Sequence, residues 1–344
     1  MVDRISEKLN SNSLLAFAGF IIIVAGMRAS ATLLVPFLLA IFIAVICLPV
    51  LELLKRYGIH QTVSVLLVIA GFLCIGFLLV LLFQTSLEDF SASLPAYQEN
   101  LNQLSQDIIN KLQPQMLDSV EDLLNETLNP STIMQVIANS MSSVGLVLTN
   151  GLLILLTVIF ILFEASSFPQ KIKAVFKKTK EPIERYENFI KIVNNYLGIK
   201  TVISFLTGIT VFFFLLFAGI DFPILWALLA GILNFIPNIG SIIAAIPPVL
   251  LATIQYGPGR AVIIIIGFVV INLIYGNFLE PRLMGKKLGL STLVVFVSLV
   301  FWGWVLGPVG MLLSVPLTMI VKIALEGNER THHWAILLGP ASDH

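Results

Sequence analysis

Between Leu14 and Leu325 the chain keeps returning to apolar runs long enough to cross a lipid bilayer. A bilayer core of about 30 Å takes about 20 such residues in a helix. Runs of that length leave little else for the chain to become. Composition agrees, since 57% of the 344 residues are hydrophobic and 12% are charged, against about 25% charged in a soluble chain. The sequence predicts an all-α, polytopic helical membrane protein with six full spans, two helical hairpins broken by Pro and Gly, and an amphipathic helical insert outside the membrane.

The expected full spans are Leu14–Met27 with its flanks, Ala31–Leu54, Thr62–Phe83, Ser143–Phe163, Lys200–Gly219 and Ala261–Leu279. Arg4 and Lys8 ahead of the first run give it the outline of a signal peptide. A second run follows almost at once, so the first reads as an uncleaved helix. Between the third and fourth spans, Gln84 to Met141 carries eight acids against the single Lys111. Leu101, Leu104, Ile108 and Leu112 recur there at helical spacing, which makes it an amphipathic insert. The stretch Glu164 to Lys200 is biased the other way, with Lys171, Lys173, Lys177 and Lys178 among its cations. Basic flanks stay cytoplasmic. The acidic insert is then outside, and both termini and the Lys55–Arg56–His60 loop are inside a bacterial inner (plasma) membrane. The basic stretch reads as topology-setting charge, with no nucleic-acid partner implied. The resulting organisation is 1–83 for helices one to three, 84–142 for the insert, 143–164 for helix four, 165–199 for the basic linker, 200–325 for a C-terminal core and 326–344 for a tail.

Two later apolar stretches are too long for one span and are interrupted. Phe222 to Gln255 breaks at Pro237-Asn238-Ile239-Gly240, and Leu290 to Leu325 breaks at Gly307-Pro308. Proline removes a backbone donor and blocks the preceding turn, while glycine lets the chain reverse. At bilayer depth such freed groups are tolerated only inside protein or beside a wet cavity, and paired broken segments point to a solute site. Each stretch is therefore expected to fold as a hairpin that returns to its starting side, keeping Arg282, Lys286, Lys287 and Lys322 cytoplasmic. Asn234 and Asn238 flank the first break, while Asn272, Asn277 and Glu280 lie on the following span or at its end. At 100° per residue Asn272, Gly276, Asn277 and Glu280 fall within roughly a 140° arc. Asn234, Pro237, Asn238, Gly240, Asn272, Asn277, Gly307 and Pro308 are thus the expected solute path. Glu280 and Arg282, bracketing Pro281, are the candidates for coupling or gating.

Catalytic chemistry finds no footing. His60, His332, His333 and His344 fall in loops or the tail, Cys47 and Cys74 sit in apolar runs, and there is no HExxH. No catalytic residue, metal site or cofactor is expected, and an enzyme is not. Small residues such as Ala16, Gly19, Gly71 and Gly76 permit close helix contact, so a homo-oligomer is expected, embedded in lipid and handling a small-molecule solute.

The strings NFIPNIGSIIAAIPP (Asn234 to Pro248), GNFLEPRLMGKKLGLSTLVVFVSLVFWGWVLGPVGMLLSVPLT (Gly276 to Thr318) and LLVPFLLAIFIAVICLPVLE (Leu33 to Glu52) closely resemble the autoinducer-2 exporter (AI-2E) family. The resemblance covers essentially the whole chain, and is weakest in the acidic insert and the last residues. It implies a membrane transporter. In one branch of the family the solute is autoinducer-2, a small polyhydroxylated quorum-sensing signal. In others the proposed activity is monovalent cation (sodium or lithium)/proton antiport. The four asparagines suit a polyhydroxylated solute, whereas an antiporter needs a titrating carboxylate, for which Glu280 and Asp221 are the late candidates.

Overall fold

The computed structural model describes residues 2–111, 151–165, 171, 181–237, 239–284, 289–327 and 331–340. Every regular element among them is helical. In chain order they are α1 (Val2–Ala29), α2 (Ala31–Arg56), α3 (Gln61–Lys111), α4 (Gly151–Ala165), α5 (Glu181–Ala218), α6 (Pro223–Leu233), α7 (Ile239–Tyr256), α8 (Pro258–Asn272), a π-helical segment (Leu273–Leu279), α9 (Glu280–Met284), α10 (Thr292–Glu326) and α11 (His332–Leu337). Among the described residues six stretches are long and apolar enough to cross a membrane, and their outward side chains are largely apolar, as for Phe217 at 84% exposure. The all-α, polytopic expectation holds.

The spans are distributed differently from the sequence reading. Two of the six, Ile239–Tyr256 and Thr292–Glu326, belong to the hairpins; the expected first span lies within α1, and the described part of the fourth forms α4. Residues 112–142 of the insert and 143–150 of the fourth span lie outside the described residues, as do Asn238, Lys286 and Lys287. α3 does not stop at Phe83. It runs 51 residues without a break, roughly 75 Å at the α-helical rise and more than twice a bilayer core. Helical spacing of apolar side chains continues past the span, and Phe90 and Tyr97 pack on the core formed by α5, α6, α7 and α8. The fifth span likewise does not begin at Lys200: α5 starts at Glu181, and its apolar stretch runs Ile190–Ala218.

Both interrupted stretches are hairpins. In the first, α6 is 11 residues long, about 17 Å, and too short to cross. The chain turns after Leu233 and returns along α7. Its two ends meet: the Tyr256 hydroxyl donates to the Gly219 carbonyl at 2.8 Å, Arg260 Nη1 donates to the Ala218 carbonyl at 3.0 Å, and Gln255 Nε2 donates to Asp221. At the tip a Cβ on Gly240 would stand 1.8 Å from the Leu233 carbonyl oxygen, so the turn closes only with glycine there.

α10 is the second hairpin. Gly307 breaks it with φ 71° and ψ −154°. Trp302 Nε1 donates to Thr318 Oγ1 at 3.0 Å, across 16 positions that a straight helix would hold about 24 Å apart. A Cβ on Gly310 would lie 2.0 Å from the Trp302 carbonyl oxygen, so here too the legs meet backbone to backbone. At its base Lys322 donates to the Gly289 carbonyl, and the Leu338 carbonyl accepts from the Ser291 amide at 3.0 Å.

The hairpins open at opposite ends of the bundle. The base of the first lies beside Tyr97, far along α3, where α5 ends and α8 begins. The base of the second lies beside α11 and Met284, at the other end of the Pro258–Met284 stretch. Between them α2 is the common support. Ala40 and Ala44 are fully buried against α3 and α4. On another side Phe42 meets Phe235 of the first tip edge-on at 5.7 Å between ring centroids. Val309 of the second tip packs against the apolar cluster to which Phe42 belongs.

Candidate functional site

α5 brings buried polar groups to the middle of this arrangement. Lys200 is 3% exposed, and its ammonium donates to both carboxylate oxygens of Glu280, at 2.8 and 2.7 Å. A buried charge is tolerable only when it is paired and hydrogen-bonded, and this pair meets that condition. Glu280 stands at the start of α9, directly after the π segment. Its partner is Lys200 and not the neighbouring Arg282, whose guanidinium lies 3.7 Å over the Phe278 ring. One turn along α5, Ser204 Oγ accepts from Asn234 Nδ2 at 3.0 Å, and further on Thr210 Oγ1 and the Tyr275 hydroxyl share a hydrogen bond of 2.8 Å. Between those two contacts the Thr207 hydroxyl is buried without a partner. Glycines allow the approach: a Cβ on Gly208 would sit 3.2 Å from the Ala227 carbonyl oxygen, and one on Gly231 3.3 Å from that of Ser204. Small residues at such contacts let membrane helices touch through their backbones.

The residues singled out from the sequence are only partly gathered. Asn234 is buried at the first tip, followed by half-buried Pro237, with Gly240 in the turn. Asn238 lies outside the described residues. Asn272 faces a cavity of about 280 Å³ between α7 and α8, together with Ser241, Ala245 and Ile265. Asn277 is exposed on the π segment, Gly307 is half-buried at the second tip, and Pro308 is exposed just after it. The common arc drawn through Asn272, Gly276, Asn277 and Glu280 assumed 100° per residue. Residues 273–279 instead form i→i+5 bonds, which wind more slowly. Asn277 turns to the surface and Glu280 toward α5.

Sequence reasoning passed over Lys200, Ser204 and Thr207, although their spacing of four and three puts them on one face of an otherwise apolar helix. A larger groove of about 500 Å³ runs along α5 and α6. Its walls are mainly apolar, with Phe205, Phe212 and Phe235 prominent, and Thr201 and Ser204 are its hydroxyl groups.

The base of the first hairpin is tied to α3. Tyr97 donates to Asp221 Oδ2 at 2.6 Å. Burial, and after it the hydrogen bond and charge of Asp221, hold the phenol well above its ordinary value of 10.0, so it remains a donor at neutral pH. Next to it Phe222 has φ 58°, a left-handed conformation unfavourable for a bulky side chain. The Phe90 ring holds it edge-on at 5.5 Å between centroids. Among the described residues no group of three His, Cys, Asp or Glu could hold a metal ion.

The sequence profile of the AI-2E family transporters matches residues 15–329. The chain belongs to the AI-2E family. Three relatives match it along nearly their whole length. A putative transport protein of Haemophilus influenzae is 41% identical over 337 residues, covering 96% of this chain and 97% of its own. The AI-2 transport protein TqsA of Escherichia coli is 38% identical, with 96% of each chain covered. The putative transport protein YhhT of Escherichia coli is 34% identical, covering 97% of this chain and 96% of its own. This AI-2E protein is therefore a multi-pass membrane transporter.

Proposed function

We propose that this AI-2E transporter exports autoinducer-2, or a closely related polyhydroxylated metabolite, across a bacterial inner membrane. The observation that carries the transport mechanism is the pair of hairpins opening from opposite ends of the bundle, with both tips seated on one cluster around Phe42. Irregular backbone at bilayer depth is tolerated inside protein or beside a wet cavity, and paired broken segments accompany the solute site of many transporters. Tips that meet on an apolar cluster close the passage in this conformation. The substrate is supported by the 38% identity to TqsA, an AI-2 transport protein. The positive-inside bias places both termini and the base of the second hairpin in the cytoplasm, and the base of the first outside. Asn234, Asn272 and the hydroxyl groups of α5 offer the donors and acceptors that a polyhydroxylated solute needs. A cation/proton antiporter would need a carboxylate open to a cation, whereas Glu280 directs both oxygens at Lys200. The uncharged-solute reading is the better supported of the two.

The test is flux in reconstituted liposomes. Protein-containing vesicles should pass autoinducer-2 faster than protein-free vesicles of the same lipid. Equal rates would refute the substrate assignment.

A further inference from the structure

The buried face of α5 carries more polarity than holding a membrane helix in place requires. From Ser204 through Thr207 to Thr210 the row steps round the helix by about 60° each time, in one sense, over about 9 Å of rise. Its two ends are engaged by elements of irregular backbone. Asn234 at the first hairpin tip donates to Ser204, and Tyr275 of the π segment shares a hydrogen bond with Thr210. Thr207 stands between them, 5% exposed, and its hydroxyl meets no partner. It does not take even the carbonyl one turn back, the usual recourse of a helical threonine and the one Thr201 adopts with Leu197 at 2.7 Å. An unsatisfied hydroxyl at bilayer depth is unfavourable, and is relieved if another state of the protein supplies its partner. The Lys200–Glu280 pair closes the row one turn before Ser204 and carries no net charge.

We propose that Ser204 and Thr207 form the row that binds the transported solute. Thr207 is its open hydrogen-bonding position, and Asn234 releases Ser204 when the first hairpin tip moves aside. The ligand class that fits is a small, uncharged molecule bearing several hydroxyl groups. This assignment rests on the transporter reading given above, and two measurements separate its failure from the failure of that reading.

The first needs no substrate. With Cys47 and Cys74 replaced by alanine, Thr207→Cys in liposomes should react with a small water-soluble methanethiosulfonate. Val211→Cys, one turn on and fully buried in the apolar core, should not. Labelling of Thr207→Cys no faster than Val211→Cys overturns the proposal. The second uses autoinducer-2 as the probe. Thr207→Val keeps the side-chain shape without the hydroxyl and should raise KM roughly tenfold, the scale of one lost hydrogen bond. Its unfolding temperature should be unchanged or higher, because an unsatisfied buried group is gone, and Thr207→Ser should restore the wild-type KM. A wild-type KM in Thr207→Val overturns the proposal. If the wild-type protein passes no autoinducer-2, the substrate assignment fails on its own and the labelling rates alone decide the row.

Discussion

At Lys200 a single side chain joins two parts of the chain that lie 80 positions apart. Removing charge from water is costly, and the mutual attraction of a buried pair recovers that cost only while both partners are present. Lys200→Met should therefore lower stability by about 3–5 kcal/mol, because Glu280 is left as an uncompensated charge. The double variant Lys200→Met with Glu280→Gln should recover most of the loss. Equilibrium unfolding in detergent measures both, and equal destabilisation of the single and double variants would show that the two side chains are not coupled. Lys200 stands in the sequence as the first residue of the expected fifth span, where hydropathy registers a charge at the edge of an apolar run without indicating which way it faces. Only the helical phase it shares with Ser204 and Thr207 marks it as inward. Phe222 was less legible still. Nothing in its type signals a left-handed conformation, in which its ring meets Phe90 edge-on and Pro223 follows.

Among the elements, the hairpins were the most legible and the π segment the least. Pro237 to Gly240 and Gly307-Pro308 mark the two turns because each removes a helical hydrogen bond and frees a backbone angle, whereas proline alone marks none, since α2, α3 and α7 run through Pro36, Pro49, Pro95, Pro247 and Pro248. The decisive glycine of the second turn is Gly310 as much as Gly307, since its contact is with the opposite leg. Gly240→Ala and Gly310→Ala should each destabilise by at least the roughly 1–3 kcal/mol of an overpacked core, because the atoms struck are backbone carbonyls that cannot rotate away. Gly71→Ala, with open space around it, should leave the unfolding temperature unchanged. Thermal unfolding of the three purified variants makes the comparison. The π segment has no such signature. Leu273 to Leu279 reads as ordinary apolar helix, and the slower winding accompanies two long-range contacts, Tyr275 with Thr210 and Glu280 with Lys200. The length of α3 was hidden for a related reason: a fall in hydropathy after Phe83 marks the bilayer edge without ending the helix.

For the whole molecule, topology carries the functional argument. A chain of apolar helices is common to channels, enzymes and scaffolds in membranes. Two broken hairpins opening from opposite ends and meeting on one supporting helix form an arrangement suited to alternate opening. The proposed substrate was not legible in spacing or composition and is supported by the likeness to a relative named for AI-2 transport. The central claim is that the tips leave α2 during transport, and the contact to restrain is Phe42 with Phe235. In a background free of Cys47 and Cys74, Phe42→Cys and Phe235→Cys should be joined by a cleavable bifunctional thiol reagent and the flux of autoinducer-2 measured in liposomes. Flux should fall to the protein-free rate when the bridge is in place and return when it is cleaved. A fully bridged protein that passes the solute at its unbridged rate would contradict the account.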